Sequence, residues 1–224
     1  MPHFDIVRQN IPKETFRVSK IESDFDVKPQ HSCEHFVGDI NYPEEWNIGV
    51  IVGGSGTGKS TIAKELYGEH YISGFNYTAS SVVDDMPKST MDEIRTMFYA
   101  VGFGSVPSWL KPYSVLSNGE KMRVDLARAL LEREFVCFDE FTSVVDRQVA
   151  QTACIAVNKA VHKLNKQFVA VSCHYDILDW LQPDWVFDTN TMESFFGIAH
   201  DRKKNLSSEN ADEKSGQNLG VIII

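Results

Sequence analysis

Gly53-Gly54-Ser55-Gly56-Thr57-Gly58-Lys59-Ser60 stands between an apolar run, Ile48-Gly49-Val50-Ile51-Val52, and the segment Thr61-Ile62-Ala63-Lys64-Glu65-Leu66-Tyr67, which Gly68 ends. The octapeptide fits the spacing G-x-x-x-x-G-K-[ST]. The apolar run predicts a buried strand and the segment after the loop predicts a helix. Glycines in such a loop let backbone N–H groups crowd around phosphate oxygens, and the helix N-terminus adds a favourable potential for anions. Lys59 is then placed to reach the β- and γ-phosphates of a nucleotide, and the Ser60 hydroxyl to ligate Mg²⁺. Gly53 to Thr61 are therefore the candidate nucleotide-binding residues. An ordinary glycine turn is the plainer reading, and Gly58-Lys59-Ser60 in register behind a buried strand outweighs it.

The rest of the chain fits a folded protein built around that loop. Its 224 residues are enough for one domain with a sizeable core, and 42% hydrophobic with 24% charged residues is ordinary for a soluble globular protein. The formal net charge of -9 argues against broad, sequence-independent nucleic-acid binding. Met1-Pro2-His3-Phe4-Asp5 has neither the basic start nor the apolar run of a signal peptide, and no stretch approaches the ~20 apolar residues of a membrane helix. Cys33, Cys137, Cys154 and Cys173 show no paired spacing, with Cys137 and Cys173 expected in core strands. A reducing cytoplasm is the simplest location.

From the N-terminus, Phe16-Arg17-Val18-Ser19-Lys20-Ile21 alternates with period two and predicts a strand, continued by Phe25-Asp26-Val27, with a second at His35-Phe36-Val37. Phe25 is the first choice for an aromatic stacked on a nucleotide base, with Tyr42 and Trp46 behind it. His31-Ser32-Cys33-Glu34-His35 lacks a second ligand pair at zinc spacing and reads as a polar loop. Ser80-Ser81-Val82-Val83 is a further strand candidate. Ser89 or Thr90 caps a helix carrying Met91, Ile94, Phe98 and Val101, stopped by Gly102. Helix, strand, helix and strand follow at Glu120–Arg133, Phe135–Asp139, Gln148–Asn165 and Phe168–Ser172, which implies a parallel sheet with helical crossovers. Trp185–Phe187 and Glu193–Phe196 suggest a closing hairpin. Residues 201–218 have a polar composition typical of disorder, and Val221-Ile222-Ile223-Ile224 is either an apolar tail or a strand-pairing segment.

Four further segments stand in a telling order: Leu116-Ser117-Asn118-Gly119-Glu120, Phe135-Val136-Cys137-Phe138-Asp139-Glu140, Ser143-Val144-Val145-Asp146, and His174 just beyond Val169-Ala170-Val171-Ser172-Cys173. With the phosphate loop they resemble the ATP-binding cassette (ABC) ATPases over roughly Phe16 to Phe196. Leu116–Glu120 is similar to the signature motif, with Asn118 where glycine is usual and Glu120 where glutamine is common. Phe135–Glu140 resembles the Walker B strand with its catalytic glutamate, Ser143–Asp146 the D-loop, and His174 the switch histidine.

The resemblance implies an α/β P-loop NTPase core with a mainly parallel sheet, an N-terminal antiparallel β part and a small helical subdomain at about 84–134. The ATPase domain would span 1–200, ahead of a tail at 201–224. It implies ATP and Mg²⁺ as ligands, Ser60 and Asp139 as metal ligands, and Glu140 and His174 as catalytic residues. Ser117 and Gly119 would face ATP bound by a second copy, in a head-to-tail dimer whose sites Asp146 couples. Ser117 and Glu120 also match a capping box, which is compatible with that role.

Transporter members carry a glutamine between the phosphate loop and the signature, whereas residues 61–115 contain none, and the segment is short. Asp84 or Asp85 is a candidate to fill that position with a carboxylate, with turn formation before Pro87 as the alternative. The implied function is a soluble ATPase whose dimerisation acts on a protein or nucleic-acid partner. The alternatives are the ATP-hydrolysing subunit of a membrane transporter and a nucleotide-gated binding module without turnover, the last disfavoured by Glu140.

Overall fold

The computed structural model describes residues 2–10, 13–27 and 32–196. The expectations for His31, for 201–218 and for Val221–Ile224 fall outside those residues. The chain runs β1 (His3–Asn10), α1 (Phe16–Phe25), β2 (Ser32–Asp39), β3 (Ile48–Val52), α2 (Lys59–Tyr67), β4 (Tyr71–Ile72), α3 (Met91–Ala100), α4 (Val106–Trp109) and a 3₁₀ turn at Tyr113–Val115. It continues through α5 (Asn118–Glu132), β5 (Phe135–Phe138), α6 (Arg147–Leu164), β6 (Gln167–Ser172), α7 (Ile177–Leu181), β7 (Trp185–Asp188) and β8 (Glu193–Phe196).

Strand β3 is buried at all five positions because it runs parallel between β6 and β7, with both faces covered. The sheet order is β4-β5-β6-β3-β7-β8, parallel except for the last strand, which returns antiparallel on β7. Successive side chains point to opposite faces. Val50, Val52, Val136 and Phe138 pack with α3, α5, α6 and α7 on one face. Ile51, Cys137, Val169 and Phe187 pack on the other with Ile62, Ala63 and Tyr67 of α2 and with Phe4 and Phe36 of the β1–β2 hairpin.

Helix boundaries follow cap chemistry. Thr90 with Glu93, and Ser117 with Glu120, form capping boxes at α3 and α5. The Asp146 carboxylate accepts from the Gln148 and Val149 amides to start α6, and Asn165 closes it in the left-handed region. In α3 the buried stripe is Ile94, Met97 and Phe98, while Met91 is exposed.

Five expectations are corrected. Residues 32–35, expected with His31 as a polar loop, open strand β2 instead. Phe16–Phe25 is a helix, because the Thr15 hydroxyl accepts from the Val18 amide at 3.2 Å and Lys20 pairs with Asp24 at 2.8 Å along one helical turn. The N-terminal antiparallel pair is instead β1 with β2, in which Phe4 points inward between exposed Asp5 and His3. Ser80–Val83 is turn rather than strand, and the edge strand is the shorter Tyr71–Ile72. Cys173 lies just past β6 and is exposed, while Cys137 and Cys154 are buried; burial pushes the Cys154 thiol up to about 12.

Gly49 shows how tightly the centre of the sheet is packed. A Cβ there would stand 2.1 Å from the indole of Trp185, which is fully buried and has Tyr42 and Trp46 within 5.3 and 5.4 Å, centroid to centroid. Gly49→Ala is expected to destabilise the fold by about 3 kcal/mol through overpacking, read as a lower urea midpoint at unchanged slope.

Candidate nucleotide-binding site

Five candidate segments leave the sheet at the same edge, the carboxyl ends of its parallel strands, where open α/β sheets hold ligands. The glycine loop follows β3, Ser73 and Gly74 follow β4, Asp139 and Glu140 follow β5, Cys173 and His174 follow β6, and Asp188-Thr189-Asn190 follows β7.

The loop is shaped by Gly58, whose φ of +86° favours glycine and whose Cβ would stand 2.6 Å from the Phe36 ring. Gly53 to Ser60 wrap the start of α2, whose first amides have no partner within the helix. Lys59 Nζ donates to the Gly54 carbonyl at 2.5 Å. Thr57 Oγ1 donates to the same carbonyl at 2.9 Å. Ser55, Gly56 and Ser60 are exposed, and Thr61 is half-buried on the first turn.

Across from the loop, Ser60 Oγ donates to Asp139 Oδ1 at 3.0 Å, and the Glu140 amide donates to the same oxygen at 2.9 Å. Tyr71 donates its hydroxyl to Asp139 Oδ2. Burial, then the bond to Asp139 and its charge, push that phenol well above the usual tyrosine range, so it stays protonated. Glu140 itself is exposed with φ +49°, an uncommon conformation for a residue with a side chain. His174 is half-buried, its amide donates to Ser172 Oγ at 3.1 Å, and its Nδ1 lies 3.6 Å from Cys173 Sγ.

Among the described residues no group of three or more His, Cys, Asp or Glu side chains could hold a metal ion. Mg²⁺ binds through one or two protein oxygens and keeps several waters, and the Ser60 hydroxyl with the Asp139 carboxylate is such a donor set.

Other candidates sit elsewhere. Ser117 is exposed at the start of α5, engaged with Glu120, and a Cβ at Gly119 would stand 3.0 Å from Val149 of α6. Neither makes a hydrogen bond to the glycine loop of its own chain. Phe25 ends α1, 69% exposed, on a helix with no buried residue. Tyr42 and Trp46 pack on Trp185, in the core. Asp85 accepts the Thr78 and Ala79 amides at 3.1 and 3.0 Å, and Asp84 accepts from Ser81, so both carboxylates are engaged in a local turn.

Several residues at this edge carry no sequence signal. Thr189 Oγ1 lies 2.6 Å from Thr57 Oγ1, and Asn190 Oδ1 accepts the Gly54 amide at 3.1 Å, so the turn after β7 braces the glycine loop. Tyr175, beside His174, joins the same brace through Asp188 at 2.8 Å and Asn190 at 2.7 Å. Only their place at a strand's carboxyl end, next to β3, could have raised them.

On the other side of Glu140, a cavity of about 200 Å³ is bounded by Ser73, Asp139, Glu140, Asn118 and Lys121. Behind it, the stacked rings of Tyr77 and Tyr113, 3.9 Å apart, both donate to Asp125 of α5, at 2.7 and 2.8 Å. Burial raises the Asp125 carboxyl. The loop after β4 is thus tied to the helix that starts at Ser117.

The fold has close counterparts among solved structures. The ATP-binding cassette MJ0796, in a dimeric post-hydrolysis state bound to ADP and Pi, superposes with a TM-score of 0.57 at 15% identity, covering 72% of this chain and 89% of that one. The chain has the ATP-binding cassette fold. The mitochondrial iron-sulfur clusters transporter ABCB7 of Danio rerio is 27% identical, covering 54% of this chain and 22% of the relative. The YdiF protein of Bacillus subtilis (strain 168), named for ATP binding, is 29% identical, covering 68% and 27%. The chain thus spans about a quarter of the length of these curated relatives. No family model matches it. No helix among the described residues is long and apolar enough to cross a membrane.

Proposed function

We propose that this chain binds Mg-ATP, pairs head to tail with a second copy around two nucleotides, and hydrolyses them to move a partner. One observation carries the reading. Ser60, beside Lys59 at the end of the glycine loop after β3, and Asp139 of the acidic pair after β5 are in hydrogen-bond contact across the end of the intervening strand β6.

The loop amides and Lys59 bind the phosphates, Lys59 exchanging the Gly54 carbonyl for phosphate oxygens. Ser60 and Asp139 hold Mg²⁺, which when bound neutralises charge on the β- and γ-phosphates. Glu140 orients the attacking water and accepts its proton. His174 holds the γ-phosphate from the next strand end. The exposed Ser117 and the amides at the start of α5 meet the γ-phosphate of the second copy, where the helix dipole favours the anion. Two facts support such a pairing: these groups make no hydrogen bond to their own chain's loop, and the MJ0796 counterpart is a dimer.

The partner is a protein or nucleic acid reached from the cytoplasm. The name of the ABCB7 relative favours the second reading, in which the chain energises a membrane transporter. Purified protein in detergent-free buffer separates the two. Mg-dependent ATP hydrolysis is expected without any membrane protein, abolished by EDTA. Hydrolysis that appears only after reconstitution with a membrane subunit in lipid would establish the transporter reading.

A further inference from the structure

We infer that Tyr71 is a positioning residue for the metal-facing carboxylate. Its hydroxyl clamps Asp139 Oδ2 so that Oδ1 is held toward Ser60 and the phosphate-binding loop. The assignment rests on the nucleotide-site reading above and adds to it a residue from a strand outside the phosphate-binding loop and the acidic pair.

The register shows how the clamp is built. Tyr71 is the Cα partner of Cys137 in the parallel β4–β5 pair. Cys137 and Asp139 are two residues apart, so they share one face of the sheet, the face on which α2 packs. A diagonal neighbour along parallel strands lies within reach of an aromatic side chain, and the phenol spans that gap. The backbone reinforces it, since the Asp139 amide donates to the Ile72 carbonyl at 2.8 Å. Tyr71 is half-buried and packs against the core cluster that includes Cys137 and Tyr67.

The resulting carboxylate has little freedom. Oδ2 accepts from Tyr71, while Oδ1 accepts from Ser60 Oγ and the Glu140 amide. When Ser60 turns its hydroxyl oxygen to the metal, Oδ1 loses one donor and becomes available to the metal or its water, and Oδ2 remains held. A neutral phenol suits this task, because it orients the carboxylate without cancelling the negative charge that attracts the cation. Residues 61–115 contain no glutamine, and Asp84 and Asp85 are engaged in their own turn.

Tyr71→Phe removes only the hydroxyl and keeps the packed ring. The test titrates Mn²⁺ by electron paramagnetic resonance into wild type and variant, each saturated with a non-hydrolysable ATP analogue. The variant is expected to bind Mn²⁺ about tenfold or more weakly, in line with the usual cost of losing a partner that orients a metal ligand. Its affinity for the analogue in EDTA and its melting temperature in EDTA should match wild type, and the half-saturating Mg²⁺ concentration for hydrolysis should rise by the same factor. Equal Mn²⁺ affinities overturn the assignment. A metal-free analogue affinity that falls as much as the Mn²⁺ affinity also overturns it, because that pattern marks a general structural role. Wild type that binds neither analogue nor Mn²⁺ overturns the nucleotide-site reading itself, and this assignment with it.

Discussion

Lys59→Ala is expected to lower ATP affinity by a factor of about a hundred or more while leaving the protein folded. Lys59 stands in the glycine loop, and its ammonium already reaches a loop carbonyl at 2.5 Å, so it needs little motion to meet a phosphate. Hydrogen bonds between charged groups contribute about 1.5–3 kcal/mol each, and Lys59 would make such bonds to both the β- and γ-phosphates. Losing them corresponds to at least two decades in the dissociation constant. The fold should not suffer, because alanine is the best helix former and Lys59 is the first residue of α2 rather than part of either core cluster. Calorimetric titration with Mg-ATP, with a melting curve as control, decides the matter. A variant that binds as tightly as wild type would refute the phosphate-loop assignment.

How much of this was legible in the sequence depends on how local each cause is. The strand, glycine loop and helix were legible because the motif prescribes residue types at fixed offsets, and Gly58 is further constrained by Phe36 pressing on it. The caps at Thr90 and Ser117 were legible too, since both halves of a capping box lie within four residues. The alternating helices and strands of the second half fixed the parallel sheet through their periodicities, and the cassette fold matched the resemblance drawn from the motif order.

Legibility failed where the cause was distant or where two periods fit one segment. Phe16–Ile21 alternates like a strand, yet the Thr15 cap and the Lys20–Asp24 pair select a helix, and no burial arbitrates because α1 packs nothing inward. The partner of β2 is β1, beyond the whole of α1. Asp85 looks like a spare carboxylate until its two amide bonds are seen. The brace from Asn190 to Gly54 spans 136 residues and the Tyr71 bond to Asp139 spans 68, and nothing near either residue marks it. Strand order alone brings these side chains to the glycine loop and the acidic pair.

Glu140→Gln is expected to slow hydrolysis by about 10²–10³-fold, the usual weight of a general base, while ATP binding persists. The substitution is nearly isosteric. It keeps the amide that donates to Asp139 and a side chain of the same bulk at φ +49°, so the backbone should hold its conformation. A glutamine amide can still hydrogen-bond water but cannot take its proton, so the chemical step fails and binding does not. If two copies close around two nucleotides, the variant should accumulate as that closed pair, because hydrolysis is what reopens it. Sedimentation with Mg-ATP is expected to show a dimer that disappears on exchange into Mg-ADP, and single-turnover measurement to show the slowed step. Replacing Ser117 by arginine in the same background should abolish the dimer, since Ser117 is exposed and its loss does not disturb a core. A variant that stays monomeric with ATP demonstrably bound would count against the sandwich, and one that hydrolyses at the wild-type rate would remove Glu140 from the chemistry.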